Sequence, residues 1–255
     1  MTFLPDPWTV LRAHTAARIA LGRAGNSLPT GEWLRFGLAH AMARDAVREP
    51  LDVGLLASQL QDQAFGPVVA VDSAAGDRDT YLRRPDLGRR LAPGSAALFE
   101  PAASPGGLVV VIGDGLSARA AQQHAQPLLV ELRPRLEAHG MALGPVVIAR
   151  QARVALGDEV GALLSAAAVL VLIGERPGLS SPDSLGAYLT WGPQVGCADS
   201  QRNCVSNIRP DGLPVAAAAH RIAWLLVAAR RLGASGVALK DDSDMPGALP
   251  GQSSP

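Results

Sequence analysis

Hydrophobic positions along the chain change rhythm near residue 105, and different elements are predicted on either side. In the first hundred residues apolar side chains recur three and four positions apart, the period of a helix with one buried face. Asp6 followed by Pro7 is a helix start, an N-cap acceptor ahead of a proline at the first helical position, and Val10, Leu11, His14 and Arg18 fall on neighbouring turns behind it. This first helix is predicted to run to about Gly22, followed by a turn over Gly22–Gly31. Thr30 is positioned to cap a second helix with Trp33, Phe36, His40, Ala43 and Val47 on one face and Pro50 as its stop. A third helix is predicted from Asp52 to Gln63, striped by Val53, Leu56 and Leu60, and Val68–Val71 reads as a short strand.

Pro101–Gly107 (PAASPGG) punctuates the chain, and beyond it apolar residues run without a break. Leu108–Gly115 (LVVVIGDG) is a strand running into a glycine turn, and Val146–Ala149 and Val169–Ile173 are two more strands. Helical patterns separate them: Ser117–Ala138, with interruptions expected near Pro127 and Pro134, and Asp158–Ala166. A last helix, Pro214–Leu232, carries Val215, Ala219, Ile222, Leu225, Ala229 and Leu232 on one stripe and stops before Gly233. The thirty residues after Gly174 show no period and read as a long irregular loop. Continuous apolar strands alternating with helices indicate a parallel sheet covered on both faces. The predicted fold class is α/β, with a mainly helical N-terminal region over 1–104, a C-terminal Rossmann-like parallel-sheet domain over 105–240 and a loose polar tail over 241–255.

With 255 residues, 48% of them hydrophobic, the chain can bury a sizeable core, and its 23 basic side chains balance 23 acidic ones. Zero net charge removes the broad attraction that nucleic acid or an anionic membrane surface needs, so neither is expected as a partner. Cys197 and Cys204 have no metal-ligand spacing and read as free thiols in a reducing compartment. No segment approaches ~18 uninterrupted apolar residues and the first residues lack the layout of a signal peptide, so a soluble cytoplasmic protein is expected.

In an open parallel sheet, ligands bind beyond the carboxyl ends of the strands. Gly113-Asp114-Gly115-Leu116-Ser117-Ala118 satisfies a relaxed dinucleotide-turn pattern, read either as a phosphate cradle or as a tight strand-to-helix turn. No acidic residue follows the next strand, which ends at Ala149 and Arg150, so NAD is poorly supported, and Arg150 would have to serve the extra phosphate of NADP. Gly174-Glu175-Arg176-Pro177-Gly178 follows the most apolar strand and sets two charged residues either at a crevice rim or on a plain surface turn. The segment after it holds Tyr188, Trp191, both cysteines and Arg202–Asn207, whose Asn203, Ser206 and Asn207 offer donors and acceptors around Cys204. A buried, inert thiol is the generic expectation for Cys204, and the five histidines carry no ligand spacing. The residues by themselves lead to a ligand-binding α/β domain with a helical companion, without a self-sufficient catalytic constellation.

Leu11–Thr30 (LRAHTAARIALGRAGNSLPT), together with VIGDGLSA, LIGERPGL and RNCVSNIRPDG, resembles the small subunit of ethanolamine ammonia-lyase, in the family's order and over about Leu11 to Lys240. The resemblance implies a larger, barrel-shaped partner subunit that holds ethanolamine, adenosylcobalamin between the two chains, and acetaldehyde and ammonia as products of a radical reaction. It implies three cofactor-contacting residues: Val154 in Arg153-Val154-Ala155, Glu175 in the GERPG segment, and Cys204, separated by one residue from Ser206-Asn207. It implies no catalytic residue and no metal ligand in this chain, and a cytoplasmic setting that in some members is a bacterial microcompartment. The DxHxxG pattern of other cobalamin proteins does not occur, in keeping with a family in which the nucleotide base stays on the cobalt. In the same reading Trp8, Trp33 and Phe36, with Arg18, Arg23 and Arg35, form a subunit contact or bury against the α/β region. The competing readings are an NADP-linked oxidoreductase and a non-catalytic cobalamin-binding module.

Overall fold

The computed structural model describes residues 3–66, 68–99 and 106–244. The chain opens with a two-stranded ribbon, β1 (Phe3–Leu4) against β2 (Arg23–Ala24), around a 3-10 helix at Pro7–Ala13. Then come α1 (Thr30–Arg48), α2 (Val53–Asp62), β3 (Val68–Asp72) and α3 (Arg78–Arg83). The remainder runs β4 (Leu108–Gly113), α4 (Ala118–Glu137), β5 (Leu143–Arg150), α5 (Leu156–Leu163), β6 (Ala168–Gly174), β7 (Leu185–Trp191), β8 (Arg202–Ile208) and α6 (Val215–Leu232).

Six strands form one sheet in the order β3-β5-β4-β6-β7-β8. The first four are mutually parallel and β7 and β8 are antiparallel additions, so the fold is α/β around a mixed, mostly parallel sheet. Strand alternation divides the core between the two faces. Val110 and Ile112, Val146 and Ile148, and Leu170 and Leu172 point to the side covered by α4 and α6, whereas Val109, Val111, Val147, Val169 and Val171 pack with Leu156 and Val160 of α5. The short α5 leaves much of the β7–β8 hairpin on its side of the sheet without a helical cover. The sheet also takes an edge strand, β3, from the segment ahead of Pro101.

Four expectations need correction. The first helix stops at Ala13 because its stripe buries nothing in this chain, and an unpacked helix of that length is not sustained. Thr30 opens α1 as its first residue, but Pro29 takes the cap position and no side-chain cap bond forms. In contrast, Asp52 accepts from Leu55 N–H at 2.9 Å to cap α2. Helix α4 runs through Pro127 and Pro134 unbroken: both prolines lie on its exposed face, where the freed carbonyls open to water, while Leu128, Leu129, Leu132 and Leu136 bury the opposite face. Finally, the irregular stretch after Gly174 spans only residues 175–184 and then gives way to the β7–β8 hairpin rather than continuing as a long loop. Its strands carry little strand pattern in the sequence because β7 includes small residues (Gly186, Ala187) and β8, an edge strand, has only Val205 and Ile208 as buried apolar residues.

Helix α1 buries only Ala46 among its nineteen residues. Its C-terminal end is tied to α3 by Arg78, whose Nε donates to Val47 C=O at 2.7 Å, and by the Arg48–Asp79 ion pair at 3.3 Å. Trp8 is 65% exposed and Trp33 61% exposed, and Phe36 is also open, so these aromatics do not bury against the α/β region. Residues 100–105, most of the proline-rich punctuation, and residues 245–255 of the expected tail lie outside the described residues. No helix among the described residues is long and apolar enough to cross a membrane.

Candidate functional site

Adjacent strands β4 and β6 send their chains in opposite directions, β4 through α4 to β5 and β6 onward to β7, and this reversal opens a crevice at their carboxyl ends. The glycines at those ends let the two loops touch. Leu116 N–H donates to the Gly174 carbonyl at 2.9 Å, and a Cβ on Gly115 (φ 55°) would fall 2.1 Å from the same oxygen. A Cβ on Gly174 would fall 1.9 Å from Ser117 C=O. The glycine turn is therefore packed with protein backbone, the structural alternative for GDGLSA, and Ser117 Oγ caps α4 through Ala120 N–H while donating to Pro182 C=O at 2.8 Å. Arg150 forks onto Asp72 at 2.6 and 2.8 Å, so the guanidinium required by the NADP reading is already engaged.

Asp114 fastens the β5–α5 loop to this pair of turns. Its carboxylate accepts from Gln151 N–H at 2.9 Å and Ala152 N–H at 3.0 Å; burial pushes its pKa up, while these bonds and Arg78 at 3.6 Å oppose the rise. Tyr81 supports the same loop from below. Fully buried, it lies between the guanidiniums of Arg78 and Arg153, 4.7 and 4.2 Å from its ring centre, and donates to Ala152 C=O at 3.0 Å. Burial raises its phenol to about 12, so it stays protonated at neutral pH.

Two adjoining cavities of about 240 and 230 Å³ share Arg153, Val154 and Tyr188 as walls and form one open cleft. One part is lined by Gly115, Leu116, Gly174, Glu175 and Arg176, the other by Arg89, Asp199, Arg202 and Cys204. The three residues named from the resemblance thus line a single cleft: Val154 in the middle, Glu175 toward the strand ends and Cys204 on the hairpin. Glu175 Oε2 accepts from Ser184 Oγ at 2.5 Å and from Asn207 N–H at 3.2 Å, which ties the turn after β6 to the end of β8. Gly186 leaves the room for this carboxylate, since a Cβ there would fall 2.9 Å from Glu175 Oε1.

Cys204 reaches solvent and is not the buried thiol expected. It sits directly across from Tyr188 in the β7–β8 register. The crowding of the cleft walls pushes the thiol pKa up, a hydrogen bond with Tyr188 works against that shift, and Glu175 adds to it. A raised pKa keeps the sulfur a neutral, polarisable contact and argues against a nucleophile.

Sequence reasoning singled out no role for Tyr188, Arg89 or Arg202. Alternation along β7 sends Leu185, Ala187 and Leu189 to the α4–α6 side and Tyr188 to the α5 side, a signal that becomes readable once the segment is taken as a strand. Arg202 is buried and forks onto buried Asp158 at 2.5 and 2.7 Å, with further bonds to Thr190 Oγ1 and Cys197 C=O. Desolvation opposes its charge, but the bonds to Asp158 outweigh it and raise the pKa. A pair 44 positions apart leaves no mark in local sequence.

Residues 5–240 match the family model of the ethanolamine ammonia-lyase light chain (EutC). Curated relatives named ethanolamine ammonia-lyase small subunit include one from Ralstonia nicotianae, 51% identical over 249 residues, which cover 96% of this chain and 92% of the relative. Another, from Azotobacter vinelandii, is 52% identical over 244 residues (94% of this chain and 90% of the relative). A third, from Xanthomonas campestris pv. campestris, is 54% identical over 245 residues, again 94% and 90%. With identity of this order spread over nearly the full length of both partners, the chain belongs to the ethanolamine ammonia-lyase light-chain family.

Proposed function

We propose that this chain is the small subunit of an adenosylcobalamin-dependent ethanolamine ammonia-lyase that converts ethanolamine to acetaldehyde and ammonia, acting in the cytoplasm or within a bacterial microcompartment. Its Rossmann-like region, 105–240, clamps the cofactor against a larger subunit that holds the ethanolamine, and the region 1–104 makes the subunit contact. The observation that carries this reading is the single cleft lined by Val154, Glu175 and Cys204, contributed by the β5–α5 loop, the turn after β6 and strand β8.

The chemistry of the cleft fits such a ligand. Val154 and Tyr188 supply apolar wall for a macrocycle edge, Glu175 an acceptor for carboxamide N–H groups, and Arg89, Arg153 and Arg176 donors for carbonyl or anionic oxygens. The Nε of Arg153 is buried without a hydrogen-bond partner, whereas that of Arg202 faces the exposed Asp199 carboxylate at 3.5 Å. Cobalamin is much larger than either cavity, so this surface suits one half of a site that a second chain closes. When bound, the cofactor supplies the radical that starts the reaction, and the task left to these residues is to hold and orient it and to exclude water. No residue of this chain is assigned to the substrate.

Co-expression with an ethanolamine ammonia-lyase large subunit, purification through a tag on this chain, and measurement of acetaldehyde release tests the reading. The expected outcome is co-purification with product formation that needs both chains and adenosylcobalamin. A well-folded chain that neither associates with a competent large subunit nor supports product formation would overturn it.

A further inference from the structure

Helix α1 presents Trp33, Leu34, Phe36 and Leu38 to the outside, and one mostly buried side chain connects its C-terminal end to the wall of the cleft. Arg78, the first residue of α3, is 15% exposed at its side chain and reaches in two directions. Toward α1, its Nε donates to Val47 C=O at 2.7 Å, a carbonyl of the last turn that has no partner within the helix and sits at the negative end of the helix dipole. Toward the cleft, its Nη1 donates to Gln151 Oε1 at 3.2 Å and stands 3.6 Å from Asp114 Oδ2. Two other ties hold the same end of α1, Arg48–Asp79 at 3.3 Å and Arg119–Glu49 at 2.8 Å, and they stop at α3 and α4. Arg78 is the one of the three that goes on to the β5–α5 loop.

That loop has to be held. Gln151 has φ 55°, in the left-handed region that a residue with a side chain keeps only when its surroundings impose it. Asp114 imposes it by accepting from Gln151 N–H and Ala152 N–H, while the Tyr81 hydroxyl donates to Ala152 C=O and Arg153 N–H donates to Gly88 C=O at 2.7 Å. The next residue is Val154, whose carbonyl accepts from Gly157 N–H at the start of α5. The Asp114 carboxylate is only 4% exposed, and Arg78 supplies the positive charge that opposes the penalty of its burial.

We infer that Arg78 is a positioning residue for the cleft: it ties the end of α1 to the Gln151–Val154 loop and thereby fixes where Val154 stands. Arg78 lines neither cavity, so its effect passes through Gln151 and Asp114. The inference rests on the cobalamin reading above and gives the region ahead of residue 105 a second task in it. The helix proposed to meet the larger subunit and the wall proposed to meet the cofactor are joined by one guanidinium.

The test uses the assembled two-subunit complex carrying Arg78→Gln, Arg78→Lys or, as a control, Arg133→Gln. Arg133 also ties two elements together, donating from α4 to Gln63 C=O at 2.8 Å and stacking on Phe65, but it lines neither cavity of the cleft. Amide hydrogen exchange over residues 151–155, with no cofactor present, reads the loop itself, and equilibrium titration with adenosylcobalamin reads the cleft. Arg78→Gln is expected to speed exchange there and to weaken adenosylcobalamin about tenfold, the equivalent of one charge-assisted hydrogen bond. Arg78→Lys keeps a positive charge beside Asp114, but a single ammonium cannot span Val47 and Gln151 together. It is expected to recover most of the lost melting temperature while the faster exchange and the weaker binding remain. Arg133→Gln is expected to lower the melting temperature and change neither readout. Unchanged exchange or unchanged affinity in Arg78→Gln would overturn the inference, as would full recovery of both by lysine or equal losses in Arg133→Gln. Faster exchange in Arg78→Gln, with no binding of adenosylcobalamin by the wild-type complex, would instead overturn the cobalamin reading and leave the tie between α1 and the loop standing.

Discussion

Glu175 joins two neighbours through one carboxylate oxygen, Ser184 Oγ at 2.5 Å and Asn207 N–H at 3.2 Å, and still lines the cleft. It is therefore both a clasp between the β6–β7 turn and β8 and, in the proposed function, an acceptor for the cofactor. Glu175→Ala is expected to weaken adenosylcobalamin binding to the two-subunit complex by roughly 1.5–3 kcal/mol, the range for a hydrogen bond to a charged group. Glu175→Gln, which keeps an acceptor for Asn207, is expected to lose less. Titration decides, alongside thermal unfolding of the same variants: a lowered melting temperature with unchanged affinity would assign Glu175 to the fold alone. Glu175 was legible in the sequence because it follows the most apolar strand directly, where a parallel sheet puts its ligands. Val154 was not, since nothing local sets it apart from any valine after a strand, and only the likeness of Arg153-Val154-Ala155 to the family pointed to it. Arg202, Tyr188 and Arg89 reach the cleft through tertiary pairings that sequence spacing does not encode.

At the scale of elements, the central strands and their helices were legible because burial on both faces makes them continuous apolar runs, as in β4 and β6, every residue of which is buried. The antiparallel hairpin was not, because an edge strand with Arg202, Asn203, Ser206 and Asn207 looks like a loop until its partner is known. The N-terminal elements show the opposite mismatch: apolar periodicity was plain, yet the faces it predicts are open. Trp8, Val10, Trp33, Leu34 and Leu38 are all more than half exposed, on segments that meet the rest of the chain through few contacts, one of them the bond from Arg18 to Leu179 C=O at 3.2 Å. A surface of this kind is what a subunit interface buries. Exposed Arg12, Arg18 and Arg23 make it testable by trypsin. Addition of the large subunit is expected to slow cleavage at these arginines, and equal cleavage with and without it would argue against an interface there.

The whole molecule is a mixed sheet that brings three loops together at one reversal of strand order, with the β7–β8 hairpin on one side of the cleft and an uncovered helical arm at the other end of the sequence. In the proposed function a second chain completes both the open cleft and the exposed arm. The central claim is that this chain supplies half of a shared cobalamin site. Its most direct test is equilibrium titration of adenosylcobalamin against this chain, the large subunit, and the two together. Tight binding by the complex, with much weaker binding by each chain alone, is the predicted result; binding by the large subunit alone as tight as by the complex would contradict it.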